Sequence, residues 1–252
     1  MRTLMNWRSV NMSKDPFWTL DAYTIRARLR PFAIMVFPLA AATLVWLQGD
    51  FASLSVLWGI VVWSGGTALC AQLGRDWGRS KQESLYVLWG GKPTTRMLRH
   101  RDASNKVLLA AWHKKLQTLC PDVKISSEDE ERNDPEAADH AYDACIAILR
   151  ERTRDKMKFP LVFEELCAYG FRRNLWGMRT AGITISTIGT VAVATHILLD
   201  VLEKAPVSKV SVAAQVLNLA ILLSWVFLFT SDWVKIAADA YAQRLLESSD
   251  RL

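Results

Sequence analysis

The densest set of residues able to do chemistry is Gly90-Gly91-Lys92-Pro93-Thr94-Thr95-Arg96, followed by Arg99-His100-Arg101-Asp102. Two glycines ahead of a helix start, with cations and threonine hydroxyls close behind, can hold an anion through backbone N–H groups and positive side chains. The spacing is not that of a Walker A loop, which needs GxxxxGK[ST]. Nor is it a kinase catalytic loop: His100-Arg101-Asp102 is present, but the next asparagine, Asn105, falls two residues early, and no glycine-rich loop or DFG accompanies it. The plainer reading is a turn leading into a basic helix beside a membrane. An anion or ligand site at Lys92, Thr94, Thr95, Arg96, Arg99, His100, Arg101 and Asp102 is the sharper one, with catalysis third.

A second polar cluster joins Glu164 and Glu165 to Arg172 and Arg173. Glu165 and Arg172 are two helical turns apart and share a face, which suits ion pairing or, more sharply, a membrane-proximal switch for an anionic ligand. Other catalytic patterns are missing. His100, His113 and His140 are scattered, with no HExxH or GxSxG, and the four cysteines show no CxxC spacing. No catalytic residue, metal or cofactor is expected, and no disulfide.

The elements that must position these residues follow from how charge is segregated. The 252 residues are 51% hydrophobic and 22% charged, yet charge is nearly absent from four stretches. These are Phe32–Gln48, Phe51–Leu73, Ala181–Leu199 and Val210–Thr230. Each is long enough to cross a hydrocarbon core of ~30 Å. Short turns at Gly49-Asp50 and at Asp200–Lys209 pair them into two hairpins. Of 31 Lys and Arg residues, only Lys204 and Lys209 lie in those turns. By the positive-inside rule the cation-rich side is cytoplasmic, so both termini and the central segment face the cytosol. Trp77, Trp176 and Trp233 sit at the inner span ends and Trp46 at an outer one, as an aromatic belt requires. The first apolar run begins behind a charged arm with no small-residue cleavage site after it, so no cleaved secretory leader is expected.

The expected fold is an all-α membrane protein, with four transmembrane helices in two hairpins and a mainly helical cytoplasmic domain inserted between them. Residues 1–31 form an N-terminal arm, 32–73 and 181–230 the hairpins, 74–180 the domain and 231–252 a cytoplasmic helix. Within the spans, Thr180, Thr184, Thr187, Ser186 and Thr190 with Gly182 and Gly189 make a weakly polar stripe, read as helix packing or as a wet pore lining. Gln215 and Asn218 share one face of the fourth span, and His196 lies beside Asp200 at the outer end of the third. No Asp, Glu, Lys or Arg lies mid-span, which argues against an ion-coupled carrier.

In the central segment, Gln82–Trp89 is short and apolar, a strand or the tail of span two, and Pro93 starts a helix through TTRMLRHR, to Arg101. Ser104 caps a helix to about Leu119 that turns Leu108, Leu109, Trp112 and Leu116 inward. Residues 121–134 are a polar loop whose acidic run, Glu128 to Glu131, is solvated. Asp134-Pro135-Glu136 is a helix start with Ala138, Tyr142, Cys145 and Leu149 inward. Pro160 opens the helix that feeds span three. Beyond span four, Trp233, Ile236, Ala240 and Tyr241 recur at helical spacing, so the tail packs back on the domain.

Three segments, LYVLWGGKPTTRMLRHRD (85–102), RERTRD (150–155) and FPLVFEELCAYGFRRNLWGM (159–178), resemble a group of uncharacterised bacterial four-span membrane proteins. That resemblance brings no catalytic residue with it. A small span bundle governed by a compact cytosolic domain is also similar in architecture to membrane effectors of bacterial anti-phage systems. It implies a regulated inner-membrane protein, homo-oligomeric in the bilayer, that responds to a cytosolic protein or nucleotide signal. A membrane-bound enzyme acting on lipid or nucleotide and a membrane scaffold are the alternatives. Nucleic acid is not an expected partner, because the cations cluster beside the spans, where topology and anionic lipid account for them.

Overall fold

The computed structural model describes residues 21–47, 55–56 and 66–252, and the described chain is helical with no strand among those residues. Most of the expected second span, Phe51–Leu73, and residues 1–20 of the N-terminal arm lie outside the described residues. Three helices are long and apolar enough to cross a membrane: α1 (Thr24–Trp46), α9 (Arg179–Leu202) and α10 (Lys209–Leu228). Only 28%, 17% and 22% of their most apolar stretches is buried inside the protein. Much of what they bury is small or polar, namely Ala42, Gly182, Ser186, Gly189, Ser211, Ala214 and Asn218, beside the larger Met35, Val45, Val193 and Trp225. What they expose is large and apolar, including Phe37, Ile188, Val191, Val216, Leu217 and Phe227. That is the reverse of a water-soluble bundle, where a helix turns its apolar stripe inward. It matches helices packed through small residues and clad in hydrocarbon.

Close approach explains the small residues. A Cβ on Gly182 would lie 2.3 Å from the Trp225 ring, and one on Gly189 would lie 2.6 Å from Pro38 O. Asn218 Nδ2 donates to that same Pro38 carbonyl at 3.2 Å, so α1, α9 and α10 meet at one level. The threonine stripe divides there. Thr184 and Thr187 face outward and return their hydroxyls to their own helix, at Thr180 O and Ile183 O. Ser186 Oγ, Thr190 Oγ1, Gln215 Oε1 and Asn218 Oδ1 are buried without a hydrogen-bond partner among the described residues. At the other end of α9, Trp46 Nε1 donates to Ala192 O at 3.2 Å, its ring edge-on to His196, and His196 Nδ1 lies 3.3 Å from Asp200.

The remaining helices form two packed cores. α2 (Gly66–Ser80) and α3 (Gln82–Trp89) lead to the one-turn α4 (Pro93–Arg96), then α5 (Lys106–Leu119), α6 (Glu128–Asn133), α7 (Pro135–Arg152) and α8 (Pro160–Gly177). After the spans, α11 (Ser231–Glu247) packs along α8. Leu98, Leu116, Tyr142, Leu149, Leu245 and Leu246 build one core, and Leu85, Trp89, Tyr169, Val234 and Ala237 the other.

Several local expectations change. Gln82–Trp89 is a helix, closed by Gly90 in the left-handed region, with Gly91 N donating back to Tyr86 O at 2.8 Å. The cap of α5 is Asn105, whose Oδ1 accepts from Val107 and Leu108 N–H, and not Ser104. Leu108 is exposed while Leu109 and Leu116 are buried, and Ile236 on α11 points outward. The acidic run is no loop: Ser127 and Glu130 form a capping box that starts α6 and turns Glu131 inward.

Gly182→Ala forces Trp225 aside, and such overpacking costs about 1–3 kcal/mol. The variant is expected to melt at lower temperature in detergent, whereas outward-facing Thr184→Ala melts as wild type.

Candidate functional site

The glycine pair and the basic segment come together, but around carboxylates that the chain supplies, and the helix expected to run through Arg101 stops at Arg96 after one turn. Gly91 has φ +132°, and a Cβ there would lie 2.7 Å from Arg99 Nη2, so this turn leaves room for the guanidinium. Arg99, 8% exposed, donates from Nε and Nη2 to the two oxygens of Asp139 at 2.8 and 2.5 Å, and from Nη1 to Gly90 O at 2.7 Å. The bidentate bond to Asp139 raises its pKa further. Lys92 pairs with Asp143, and Thr95 Oγ1 donates to the other Asp143 oxygen at 2.5 Å. Arg96 lies 3.8 Å from Asp102, and Arg101 lies 3.7 Å from both Glu131 and Asp139.

The backbone anion position is filled as well. Buried Glu131 accepts from His100 N at 2.8 Å, Arg101 N at 3.3 Å and the Tyr142 hydroxyl at 2.9 Å. Burial, and then the bond to Glu131, push the Tyr142 pKa up. An internal carboxylate thus takes the backbone N–H groups of His100 and Arg101. Four cations face Asp102, Glu131, Asp139 and Asp143, and the segment is electrically closed. The sequence reading missed Asp139 and Asp143, whose i,i+4 spacing on α7 was the available signal, and it missed Glu131 because its run looked solvated. Thr94 points elsewhere, into the cleft described next.

That cleft, about 1200 Å³, opens between the start of α1, α3, α7, α8 and α11. Tyr23, Tyr86, Tyr169 and Tyr241 line it. Tyr169 and Tyr241 stack nearly parallel, ring centres 6.2 Å apart, and the Tyr86 and Tyr169 hydroxyls are 3.4 Å apart. Burial raises both the Tyr169 and the Tyr241 hydroxyl pKa, the latter to about 12, so both remain protonated donors at neutral pH. Gly170 leaves space for Tyr23, whose hydroxyl would sit 2.8 Å from a Cβ there.

Arg173 reaches the same cleft and is 9% exposed. Nη1 donates to Gln82 Oε1 at 2.8 Å; Nε and Nη2 donate to Asn174 Oδ1 at 3.3 and 3.1 Å. Its guanidinium lies 5.7 Å from the Tyr169 ring centre. Among the described residues no carboxylate pairs with it. Its expected partners stand apart: Glu164 is exposed, Glu165 half-buried, and neither pairs with Arg172 or Arg173 among the described residues. Arg172 instead donates to Trp233 O at 2.9 Å and lies 4.6 Å from that ring's centre.

Where the apolar helices meet this domain, backbone bonding is irregular and side chains of α8 and α9 complete it. α10 ends in a π-turn, Ser224–Leu228. Phe229 N bonds Ser224 O and Thr230 N bonds Leu228 O, so neither serves Trp225 O or Val226 O as it would in an α-helix. Arg179 serves both, from Nε at 3.0 Å and Nη2 at 2.7 Å. α1 opens in a π-turn, Thr24–Leu29. Pro31 has no N–H for Ala27 O, and Asn174 Nδ2 donates to it at 2.6 Å. Sequence patterns carry no signal for these turns, which are frequent at functional places.

Among the described residues no group of His, Cys, Asp and Glu is arranged to hold a metal ion. The chain matches no protein-family model, no curated protein and no solved structure.

Asp139→Asn removes the charge from the bidentate partner of a buried guanidinium and is expected to destabilise the fold by about 2–3 kcal/mol, read by thermal or chemical melts. His113 gives a pH signature. Its Nε2 lies 2.8 Å from Leu98 O, its ring stacks on Tyr142 and faces His100, and burial lowers its pKa below the usual 6.5. The unfolded chain therefore takes up this proton first. Stability from the neutral ring is full above about pH 6.5 and is lost as pH falls below it. In His113→Gln that part of the slope is expected to vanish.

Proposed function

We propose that the chain is a regulated inner-membrane protein of a bacterium, in which a cytosolic helical domain receives a signal and the span bundle answers it. Four spans in two hairpins place both termini in the cytosol, and several copies assemble in the bilayer. The response is a change in membrane permeability, as in an effector of anti-phage defence. The outward apolar faces of α1, α9 and α10 support the membrane part. The cation distribution supports the orientation.

The observation that carries the regulatory part is the join between α8 and α9. Over eight residues this stretch carries Arg173 in the cleft, Arg172 and Asn174 on carbonyls of α11 and α1, and Arg179 on the end of α10. A displacement of α8 at the cleft therefore bears on the helix ends of the bundle through direct hydrogen bonds. An enzymatic reading has less support, because Lys92, Arg99 and Asp102 are tied up in internal ion pairs.

Potential-sensitive dye in a bacterium expressing the chain tests the reading. Wild type is expected to depolarise cells, on expression or on phage infection, while Arg179→Gln inserts in the membrane and depolarises far less. An unchanged potential with wild type under both conditions contradicts the proposal.

A further inference from the structure

We infer that the tyrosine-lined cleft binds a phosphate-bearing anion, with its charge seated on Arg173. The chain itself supplies the comparison. Arg99 and Arg173 are almost equally buried, at 8% and 9% exposure. Arg99 is matched by the bidentate carboxylate of Asp139. Arg173 has only the neutral amide oxygens of Gln82 and Asn174, and no carboxylate among the described residues. A guanidinium withdrawn from water without a counter-charge is unfavourable unless an anion arrives.

Its surroundings fit such an anion. Two of the cleft's cations are cancelled internally, Lys92 by Asp143 and Arg154 by Glu151. Of the remainder, Arg79, Arg150 and Lys156 make no ion pair among the described residues and join Arg173, against Asp21 and Glu83. Positive charge therefore runs from the buried guanidinium to the rim, which suits a ligand with more than one negative oxygen. The hydrogen-bonded hydroxyl pair of Tyr86 and Tyr169 adds a donor beside Arg173. The volume of about 1200 Å³ exceeds what a lone phosphate fills, so the phosphate belongs to a larger molecule. The cleft also adjoins the start of α1, beside the apolar helices. The same chemistry therefore fits a soluble nucleotide and an anionic lipid headgroup.

This makes the cleft the input of the coupling proposed above. Binding is measured without any membrane response, so failure of one is distinguishable from failure of the other. The full chain, purified in detergent, is titrated with ATP, pyrophosphate, dioctanoyl phosphatidylglycerol and, as a zwitterionic control, dioctanoyl phosphatidylcholine. Calorimetry and thermal shift read binding. At least one anionic probe is expected to bind and raise the melting temperature. ATP or pyrophosphate identifies a soluble ligand; phosphatidylglycerol alone identifies a headgroup. Arg173→Gln is expected to weaken binding by roughly tenfold or more. Because that variant can also disturb Asn174, Arg150→Gln at the exposed rim is the second arm, with wild-type melting and binding several-fold weaker. No binding by any anionic probe, or equal binding of the anionic probe and the zwitterionic control, overturns the inference. So does unaltered affinity in both variants.

Discussion

The structure depends on what happens to backbone carbonyls where regular helix gives way at the edge of the apolar bundle. In an apolar setting an unbonded carbonyl is costly, and no water is at hand to satisfy it. Pro31 and the π-turn at Ser224–Leu228 deprive Ala27 O, Trp225 O and Val226 O of their ordinary helical donors. Asn174 and Arg179, five residues apart, supply the replacements. The bundle ends and the domain thus share one short stretch of chain, and neither can shift without disturbing hydrogen bonds of the other.

Two arginines show how differently the chain treats buried charge. At Arg99 the Asp139 carboxylate of α7, Asp102 and the carbonyl of left-handed Gly90 take up the guanidinium, which braces the end of α3 against α7. At Arg173 the partners are neutral and the wall is aromatic. A satisfied ion-pair network specifies structure, whereas an uncompensated cation in an open cleft is poised for a ligand. The sequence reading offered an anion site at both places as its sharper alternative, and only the structure separates the closed network at Arg99 from the carboxylate-free surroundings of Arg173.

What the sequence made legible followed from strong local signals. Charge-free length marked α9 and α10 to within a few residues, and Asp134-Pro135 and Pro160 marked the starts of α7 and α8. The inward face of α7, Ala138, Tyr142, Cys145 and Leu149, followed from periodicity. What stayed hidden depends on tertiary contact. Glu131 is drawn inward by Tyr142 and by two backbone N–H groups that sit thirty residues away. Thr184 and Thr187 share their helix with Ser186 and Thr190, but only the packing of α1 and α10 decides which pair turns inward. The absence of an ion pair between Glu165 and Arg172 likewise reflects Trp233, whose ring and carbonyl capture the guanidinium.

All of this presumes that lipid covers the faces of α9 and α10 that the protein leaves bare. Spin labels on a cysteine-free background at Val191→Cys and Val216→Cys, exposed by 58% and 60%, and at buried Val193→Cys, measure that cover directly in reconstituted vesicles. The two outward labels are expected to collide freely with oxygen and hardly at all with a water-soluble nickel chelate, while the Val193 label meets neither. Ready collision of the outward labels with the chelate would contradict that cover.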